Sequence, residues 1–373
     1  MNVVFISNYF NHHQNTLSRD LVKLTVNSYS FIQTSSMSNE RRLLGYDEET
    51  DFEFIVDYRK SPEKANNKIA GADVIIVGSS PKLILRCVNK DEKLIFRYSE
   101  RILKKRIGPL KYIHRFIRLR DYYLRKSENY LLCAGAFVAS DYAKFGLYKN
   151  RAYKWGYFPE TIRYENISEV INKKRKNKLI WCGRFIDWKH PDDAVKVAKM
   201  LKEDGYEFEL DIIGRGYMES RLREMISDYD LEDNVNLLGS MKPMQVRKHM
   251  EEAGIYLFTS DRQEGWGAVL NEAMNSGCAV VASNEIGAVP YLLEDKHNGF
   301  IYKSGSIDSL YEKVKMLIDN TTSQEQVGRE AYHTIIEEWN AEIAAERLLK
   351  LSQHLLNGEV APDLYETGPC SKA

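Results

Sequence analysis

Two glutamates are the residues whose spacing points most directly to chemistry. Glu264 and Glu272 bracket EGWGAVLNEAMNSGCAVVAS, residues 264–283, which follows the apolar strand pattern IYLFTS. A helix that only fills a core needs neither carboxylate, and glycine weakens its first turn. Carboxylates accept hydrogen bonds from paired sugar hydroxyls, including those of a ribose. The spacing therefore indicates a site for a hydroxyl-rich ligand, with two solvated helix glutamates as the alternative.

The same segment predicts a helix that opens at Gly265, at the carboxyl end of its strand, where doubly wound sheets bind ligands. Gly265 and Gly267 let a ligand approach the backbone closely, and the free N–H groups of a helix start suit phosphate. Eight residues advance a helix about 80° beyond two full turns, so Glu272 can share a broad face with the first turn. If Glu264 lies on the loop before the helix, the two carboxylates reach separate groups of hydroxyls.

Two cations follow another predicted strand. Arg184 and Lys189 stand five residues apart in WCGRFIDWKHP, between the strand KLIWCG and a helix. Arginine offers a planar fork and lysine a point charge, so together they suit a diphosphate. The alternative is a pair of surface cations.

A glycine pair follows a third strand, in IIGRGYMESRL. Gly214 and Gly216 resemble the start of a dinucleotide-binding fingerprint, but Glu219 occupies the third glycine position. We interpret this segment as a close backbone turn beside a nucleotide and not as an NAD site.

Parallel sheets are the elements that must position these residues. Short apolar runs alternate with helical patterns along all 373 residues, which predicts two Rossmann-like α/β domains facing across a cleft. We expect domains at 1–165 and 166–340, an inter-domain link within 161–177, and a segment 341–373 made of a helix that returns to the first domain and a tail. The helical pattern of this return covers about 323–356. The predicted strands cover 2–8, 28–34, 52–58, 73–78, 93–98, 130–134, 178–183, 208–214, 235–239, 255–260, 278–283 and 299–303.

Composition narrows the class of protein. Hydrophobic residues make up 43%, five cysteines are scattered without metal-binding spacing, and no apolar run approaches the ~20 residues of a membrane helix. The amino terminus has no basic region of a signal peptide, so we expect a cytoplasmic protein with reduced thiols. The one Asp-x-Asp, Asp228 to Asp230, lies at a polar helix end, and we expect no metal and no cofactor.

The neutral net charge conceals an asymmetry. Residues 1–160 carry 27 basic against 17 acidic residues, and the segment 93–126 alone carries 12 against two. Leu110, Ile113, Ile117 and Leu124 recur at helical spacing there, which favours an interfacial helix on an anionic membrane. A solvated helix packed on its domain is the alternative, and nothing resembles a nucleic-acid-reading module.

Five motifs in order carry a resemblance to a known family: GRFIDWKH, IIGRG, VNLLGSMKP, the Glu264–Ser283 segment and IGAVPYLLEDKHNGFIY. Together they resemble the carboxyl domain of family-4 retaining glycosyltransferases of the GT-B fold, with its Glu-x7-Glu motif. The resemblance is strong over 178–305 and weaker in the first half, where FVASDYAKFGL is similar to the family. It implies that Glu272 binds the nucleotide ribose, Glu264 the donor sugar, and Arg184 and Lys189 the diphosphate. The remaining predicted donor-binding residues are Gly214, Met241, Gly265, Trp266, Gly267, Ala268 and Val269, with residues 240–244 flanking the base.

The first half departs from the family pattern in two places. NYFNHHQNTL replaces the usual glycine-rich loop, so Asn11, His12 and His13 are candidate acceptor-side residues, with ordinary loop positions as the alternative. A family histidine has no counterpart here, and Ser99 and Glu100 in RYSERIL take its expected place.

The resemblance, taken with these residues, implies a metal-independent, retaining hexosyltransferase in which Glu264, Arg184 and Lys189 are catalytic. We expect a nucleotide-diphosphate sugar, UDP-sugar favoured, as donor and a glycan or lipid-linked hydroxyl as acceptor in cell-surface polysaccharide synthesis. Peripheral association with the inner membrane face follows from the 93–126 segment. The alternatives are a sugar-nucleotide epimerase, an inverting transferase, or a non-catalytic protein that binds glycans or nucleotide sugars.

Overall fold

The computed structural model describes residues 1–37, 52–80, 93–105, 108, 110, 112–114, 116–117 and 129–373. These residues form two compact units. One comprises Met1–Glu160 with Trp339–Ala373, and the other comprises Thr161–Glu338. Each unit contains a parallel sheet with helices, as the alternating sequence pattern predicts.

The first unit has a seven-stranded sheet in the order β3-β2-β1-β4-β5-β6-β7. Every neighbouring pair is parallel. The strand order reverses direction between β1 and β4, so the carboxyl ends of these strands border the usual ligand crevice of such a sheet. The strands are β1 (Val3–Ser7), β2 (Tyr29–Gln33), β3 (Ile55–Asp57), β4 (Val74–Val77), β5 (Leu94–Ser99), β6 (Tyr130–Ala134) and β7 (Ala152–Trp155).

Helices α1 (His12–Leu24), α2 (Pro62–Ala70), α3 (Val138–Ala143) and α12 (Ala341–Leu356) also belong to this unit. The chain after α12 returns to the edge strand β7. The Lys154 N–H donates to the Ser371 carbonyl at 2.8 Å, and the Cys370 N–H donates to the Lys154 carbonyl at 2.8 Å. The last residues therefore cover a sheet edge that would otherwise offer unpaired backbone groups.

The second unit has a six-stranded parallel sheet in the order β10-β9-β8-β11-β12-β13. Its switch point lies between β8 and β11, which are neighbours in the middle of the sheet. The strands are β8 (Arg175–Cys182), β9 (Glu209–Ile213), β10 (Val235–Gly239), β11 (Ala253–Phe258), β12 (Ala279–Ser283) and β13 (Phe300–Tyr302). The helices are α4 (Ile167–Lys173), α5 (Pro191–Glu203), α6 (Glu219–Asp228), α7 (Pro243–Glu252), α8 (Val269–Asn275), α9 (Val289–Leu292), α10 (Ile307–Asp319) and α11 (Thr321–Glu337).

The segment 161–177 contains α4, whose Ile167 and Ile171 form a buried cluster with Tyr332, and the start of β8. One sequence interpretation needs correction. The predicted long helix over 323–356 is two helices, α11 and α12, because the side chain of Asn340 caps a new helix start.

The basic stretch is described in part. Its described residues between 110 and 117 are helical, whereas Leu124 lies outside the described residues. No helix in the part of the chain that the structure describes is long and apolar enough to span a bilayer.

Candidate functional site

The loops that follow β8 and β11 meet at the switch point of the second sheet. The Thr259 hydroxyl lies 2.7 Å from the Lys189 carbonyl oxygen, and the Asp261 N–H donates to the Trp188 carbonyl at 2.9 Å. The Trp181 indole donates to the Thr259 oxygen at 2.8 Å. These contacts fix the two loops that carry Arg184, Lys189 and Glu264.

The loop after β8 brings its two cations around one aromatic ring. The Lys189 ammonium lies 4.9 Å from the centre of the Trp188 ring, and the Arg184 guanidinium carbon lies 5.8 Å from it. Buried Phe185 anchors the loop between them. A short turn, Asp187–Lys189, follows, and Pro191 then begins α5. Arg184 and Lys189, five residues apart in the sequence, therefore lie around the same ring, and two neighbouring cations suit a diphosphate.

Lys189 also contacts the first glutamate of the opening segment. Its ammonium lies 2.5 Å from Glu264 Oε2, and the two side chains are 13% and 12% exposed. The Ser260 hydroxyl donates to the same carboxylate oxygen at 3.2 Å. Glu264 lies on the loop, before the helix, which is the arrangement in which the two glutamates reach separate groups.

The helix of the opening segment begins later than predicted. Helix α8 begins at Val269 and not at Gly265, because residues 261–268 form turns in which Gly267 has φ +91°. A Cβ at Gly267 would lie 2.3 Å from the Phe258 ring. Gly265 and Ala268 are buried in this turn, and Val269 is half-buried. The helix start predicted at Gly265 is therefore wrong, and the helix N-terminus lies at Val269.

Glu272 lies in the first turn of α8 and keeps part of its surface accessible. Burial of its carboxyl by the surrounding protein raises the pKa of Glu272, and the positive charge of Arg247 opposes that rise. Burial, together with the neighbouring Glu272, raises the pKa of the Cys182 thiol to about 12. Cys182 is the last residue of β8, and the loop that carries Lys189 follows it. Glu272 therefore lies near the same end of β8 as that loop.

Trp266 is fully buried, with 0% of its surface exposed, and its indole N–H donates to Asn271 Oδ1 at 2.9 Å. Its ring belongs to the interior of the unit, so its backbone is the part of Trp266 that remains for the predicted donor contact. Nothing in the sequence distinguishes a buried tryptophan from an exposed one at this turn.

Gly214 occupies a place that only glycine fits. Its φ is +149°, and a Cβ there would lie 1.8 Å from the Gly183 carbonyl oxygen. The Gly214 N–H donates to the Gly239 carbonyl at 2.8 Å. The ends of β8, β9 and β10 therefore meet through glycine backbone, and the half-buried Met241 follows directly.

A cluster of metal-ligating types lies beside the cations. His190, Asp192 and Asp193 bring ligand atoms within 4.8 Å of one another. The Lys196 ammonium, however, lies 2.8 Å from both carboxylates. Because Lys196 and Arg221 already pair with these carboxylates, the cluster has the contacts of an ion-pair network.

Two residues of this region gave no signal in the sequence. Arg247 on α7 donates to Asn275 Oδ1 on α8 at 2.6 Å, and both side chains are buried. Asn275 lies within the 264–283 segment, but Arg247 belongs to none of the motifs, and their sequence separation of 28 residues hides the contact.

The acceptor-side candidates lie in the first unit. Asn11 caps α1 by accepting from the His13 N–H at 3.0 Å, and the His13 ring stacks on Tyr157 at 5.8 Å. The Tyr157 hydroxyl donates to Glu100 Oε1 at 2.6 Å. His12 begins α1, but its side chain lies outside the described part of the chain. The structure therefore connects Asn11, His13 and Glu100 through Tyr157, which sequence reasoning missed.

Glu100 and Ser99 have further hydrogen-bond partners in the first unit. Lys104 donates to the second oxygen of Glu100, so both carboxylate oxygens have a partner. The Ser99 hydroxyl donates to the Glu100 carbonyl at 2.8 Å and lies 3.0 Å from the Tyr142 hydroxyl. Burial raises the pKa of Tyr157 well above its ordinary value, so its hydroxyl stays a donor at neutral pH.

Part of the second unit is similar to a known protein family. Residues 163–334 match the family model described as "Glycosyl transferases group 1". The matched range contains Arg184, Lys189, Glu264 and Glu272.

Curated relatives agree with this match. The amylovoran biosynthesis glycosyltransferase AmsK of Erwinia amylovora is 30% identical over 183 residues, which cover 48% of this chain and 45% of the relative. The poly(glycerol-phosphate) alpha-glucosyltransferase of Bacillus subtilis (strain 168) is 24% identical over 346 residues, covering 89% and 48%. The chain spans about half the length of these relatives.

A solved structure extends the likeness over both units. The structure of Anabaena HepE in complex with UDP superposes with a TM-score of 0.71 at 15% identity, covering 95% of this chain and all of HepE. The predicted α/β fold class, with two Rossmann-like units as in GT-B glycosyltransferases, is confirmed.

Proposed function

We propose that this protein is a retaining glycosyltransferase that moves a sugar from a nucleotide-diphosphate sugar to a hydroxyl of a glycan or lipid-linked acceptor in polysaccharide synthesis. The observation that carries this proposal is the contact between Lys189 and Glu264 at the switch point, with Glu272 on the next helix. The match of residues 163–334 supports the class of reaction, and the UDP bound to HepE supports a UDP-sugar as donor.

The diphosphate is the group that Arg184 and Lys189 bind in this proposal. Negative charge develops on the departing diphosphate as the sugar bond breaks, and preorganised cations stabilise that charge in the transition state. Lys189 then bridges the diphosphate and Glu264, so the same ion pair positions the leaving group and the sugar. The two cations supply the positive charge, and the proposed step uses no metal ion.

The sugar and the ribose are bound by different carboxylates. Glu264 accepts hydrogen bonds from hydroxyls of the donor sugar, and Glu272 accepts them from the ribose. Removal of Glu264 is expected to abolish most transfer while nucleotide binding persists. Removal of Glu272 is expected to weaken the nucleotide.

Retention of configuration is the finer part of the proposal. The bond from the sugar anomeric carbon to the diphosphate breaks, the bond to the acceptor oxygen forms on the same face, and the acceptor proton passes to the diphosphate. No protein nucleophile is needed in this step. The Bacillus subtilis relative is named an alpha-glucosyltransferase, and an α product from an α-linked UDP-hexose supports retention.

The acceptor is assigned to the first unit. Glu100 offers a carboxylate whose oxygens are already oriented by Tyr157 and Lys104, and such a group accepts hydrogen bonds from a hydroxyl.

Association with an anionic membrane is proposed for the basic stretch 93–126. Leu110, Ile113 and Ile117 are 83%, 54% and 61% exposed on its helical segment, while Tyr112 and Phe116 pack against the domain core. Apolar side chains that face outward among basic residues suit the surface of an anionic bilayer.

A panel of nucleotide sugars tests the proposal. Each compound is added to the full chain, and the melting temperature is measured. A ligand at 100 times its dissociation constant stabilises by about 2.7 kcal/mol. We expect a UDP-sugar to give the largest shift, and UDP release to accelerate when a glycan acceptor is added. Binding without any acceptor-dependent release would instead support a non-catalytic binding protein, and the absence of any shift would refute nucleotide-sugar binding.

A further inference from the structure

A buried cation lies close to the proposed ribose ligand. Arg247 is 7% exposed, and its Nη1 donates to Asn275 Oδ1 at 2.6 Å. Asn275 follows Glu272 by three residues in α8. Side chains at this spacing are neighbours on one face of a helix. The guanidinium anchored at Asn275 therefore lies beside the face of α8 that carries Glu272, where its charge acts on the Glu272 carboxyl.

The orientation of Asn275 is fixed by a second set of hydrogen bonds. Its Oδ1 accepts from the Ile162 N–H at 2.8 Å, and its Nδ2 donates to the Ile162 carbonyl at 2.9 Å. Reversing the amide would place a donor against the N–H and an acceptor against the carbonyl. The carbonyl oxygen of Asn275 is therefore held towards Arg247, and Arg247 is held near Glu272.

Among the described residues, groups on β8, β11 and α7 interact electrostatically with Glu272. Burial raises the pKa of Cys182 on β8 to about 12, and burial raises the pKa of Tyr256 on β11 well above its ordinary value, with Glu272 contributing to both. Both groups are thus uncharged at neutral pH. Arg247 on α7 is the cation that lowers the pKa of Glu272 against the effect of burial.

We propose that Arg247 is a positioning residue that keeps the Glu272 carboxylate ionised and oriented for the two hydroxyls of a nucleotide ribose. This inference rests on the proposed function of the site. An ionised carboxylate accepts two hydroxyl hydrogens, whereas a protonated one gives up an acceptor position to its own proton. Losing Arg247 therefore weakens ribose recognition first at acid pH.

Calorimetry with UDP and 2′,3′-dideoxy-UDP tests this inference, because the analogue lacks only the hydroxyls that Glu272 would bind. Dissociation constants are measured from pH 5.5 to 8 for the wild type, R247M, R247K and E272Q. Hydrogen bonds to a charged group are stronger than those between neutral groups, so we expect the wild type to prefer UDP by roughly 10-fold or more. Lys248→Met is the matched control, since Lys248 is the exposed neighbour on the same helix.

R247M is expected to reduce the preference to roughly 3-fold or less at pH 6, to move the acid limit of UDP binding to higher pH, and to leave the analogue's affinity unchanged. R247K keeps the positive charge but lacks the planar guanidinium, so its preference for UDP is expected to lie between those of R247M and the wild type. K248M is expected to show the wild-type preference. If R247M fails to fold, R247K with a reduced preference supports the inference.

Two results would overturn it, and they are distinguishable. A wild-type preference retained in the Arg247 variants at every pH refutes the role of Arg247 alone. A wild type that binds neither nucleotide removes both this inference and the proposed donor site.

Discussion

Replacing Lys189 by methionine removes the cation that pairs with Glu264 while keeping most of the side-chain volume. The pair is 2.5 Å apart and nearly nine-tenths buried, so it lies between a surface ion pair, worth up to about 1 kcal/mol, and a buried one, whose breakage costs about 3–5 kcal/mol. In the variant, Ser260 is the side chain that still donates to Glu264 among the described residues. We therefore expect a loss of about 2–3 kcal/mol in the free energy of unfolding.

The double variant K189M/E264Q should recover part of that loss, because no carboxylate is then left without its cation. A coupling of about 2 kcal/mol between the two sites is expected from urea unfolding of the wild type, both single variants and the double variant. Additive single effects would show that the ion pair does not contribute.

The same variant separates phosphate binding from nucleoside binding. K189M is expected to weaken UDP by roughly 10-fold or more, since a charge-assisted contact to the diphosphate is lost, while the affinity for uridine stays within a factor of two or so. Lys199→Met, which removes an exposed lysine of the neighbouring helix α5, is the control. Equal weakening of UDP and uridine would refute the diphosphate assignment of Lys189.

Three further predictions concern other parts of the molecule. Gly214→Ala forces a Cβ to 1.8 Å from the Gly183 carbonyl oxygen and should lower the free energy of unfolding in urea by about 3 kcal/mol or more. Gly205→Ala, at φ +80° with open space around it, should lower it by about 1 kcal/mol. Equal losses would contradict the close approach at Gly214. Burial raises the pKa of Glu272 above its usual 4.5, so between that value and the raised pKa the folded protein binds more protons than the unfolded one. The free energy of unfolding should therefore fall as pH rises through this range. Glu272→Gln should remove this pH dependence, and an unchanged pH dependence in the variant would contradict the prediction. Tyr157→Phe removes the donor to Glu100 and should lower acceptor-dependent turnover by roughly 10-fold without changing acceptor-independent hydrolysis of the donor. Tyr142→Phe, the control, should leave acceptor-dependent turnover unchanged. Equal losses of both reactions in Tyr157→Phe would exclude an acceptor-side role.

Much of the candidate donor site could be predicted because it depends on short segments at strand ends. Parallel strands bring their carboxyl ends to one edge, so residues that follow β8 and β11 in the sequence must lie near each other at the switch point. This reasoning places Arg184, Lys189 and Glu264 together before any coordinates are known. The role of Gly214 could also be predicted, because a turn between a strand and a helix needs a residue whose backbone can approach a neighbouring segment closely.

The parts that could not be predicted depend on packing between distant segments. The helix start at Val269 follows from the burial of Trp266 and the tight turn at Gly267, neither of which has a periodic signal. Strand β7 is not among the predicted strands, because its four residues include Lys154 and lack the continuous apolar run of the equally short β4. The Arg247–Asn275 and Tyr157–Glu100 contacts join residues far apart in the sequence. Such pairs become visible only when the folded chain brings them together.

A crystal structure of the complex with UDP tests the central claim most directly, because it locates every group of the nucleotide. The account predicts a diphosphate in contact with Arg184 and Lys189, and ribose hydroxyls within about 3 Å of the Glu272 carboxylate oxygens. UDP bound away from the ends of β8 and β11, or a ribose without contact to Glu272, would contradict it.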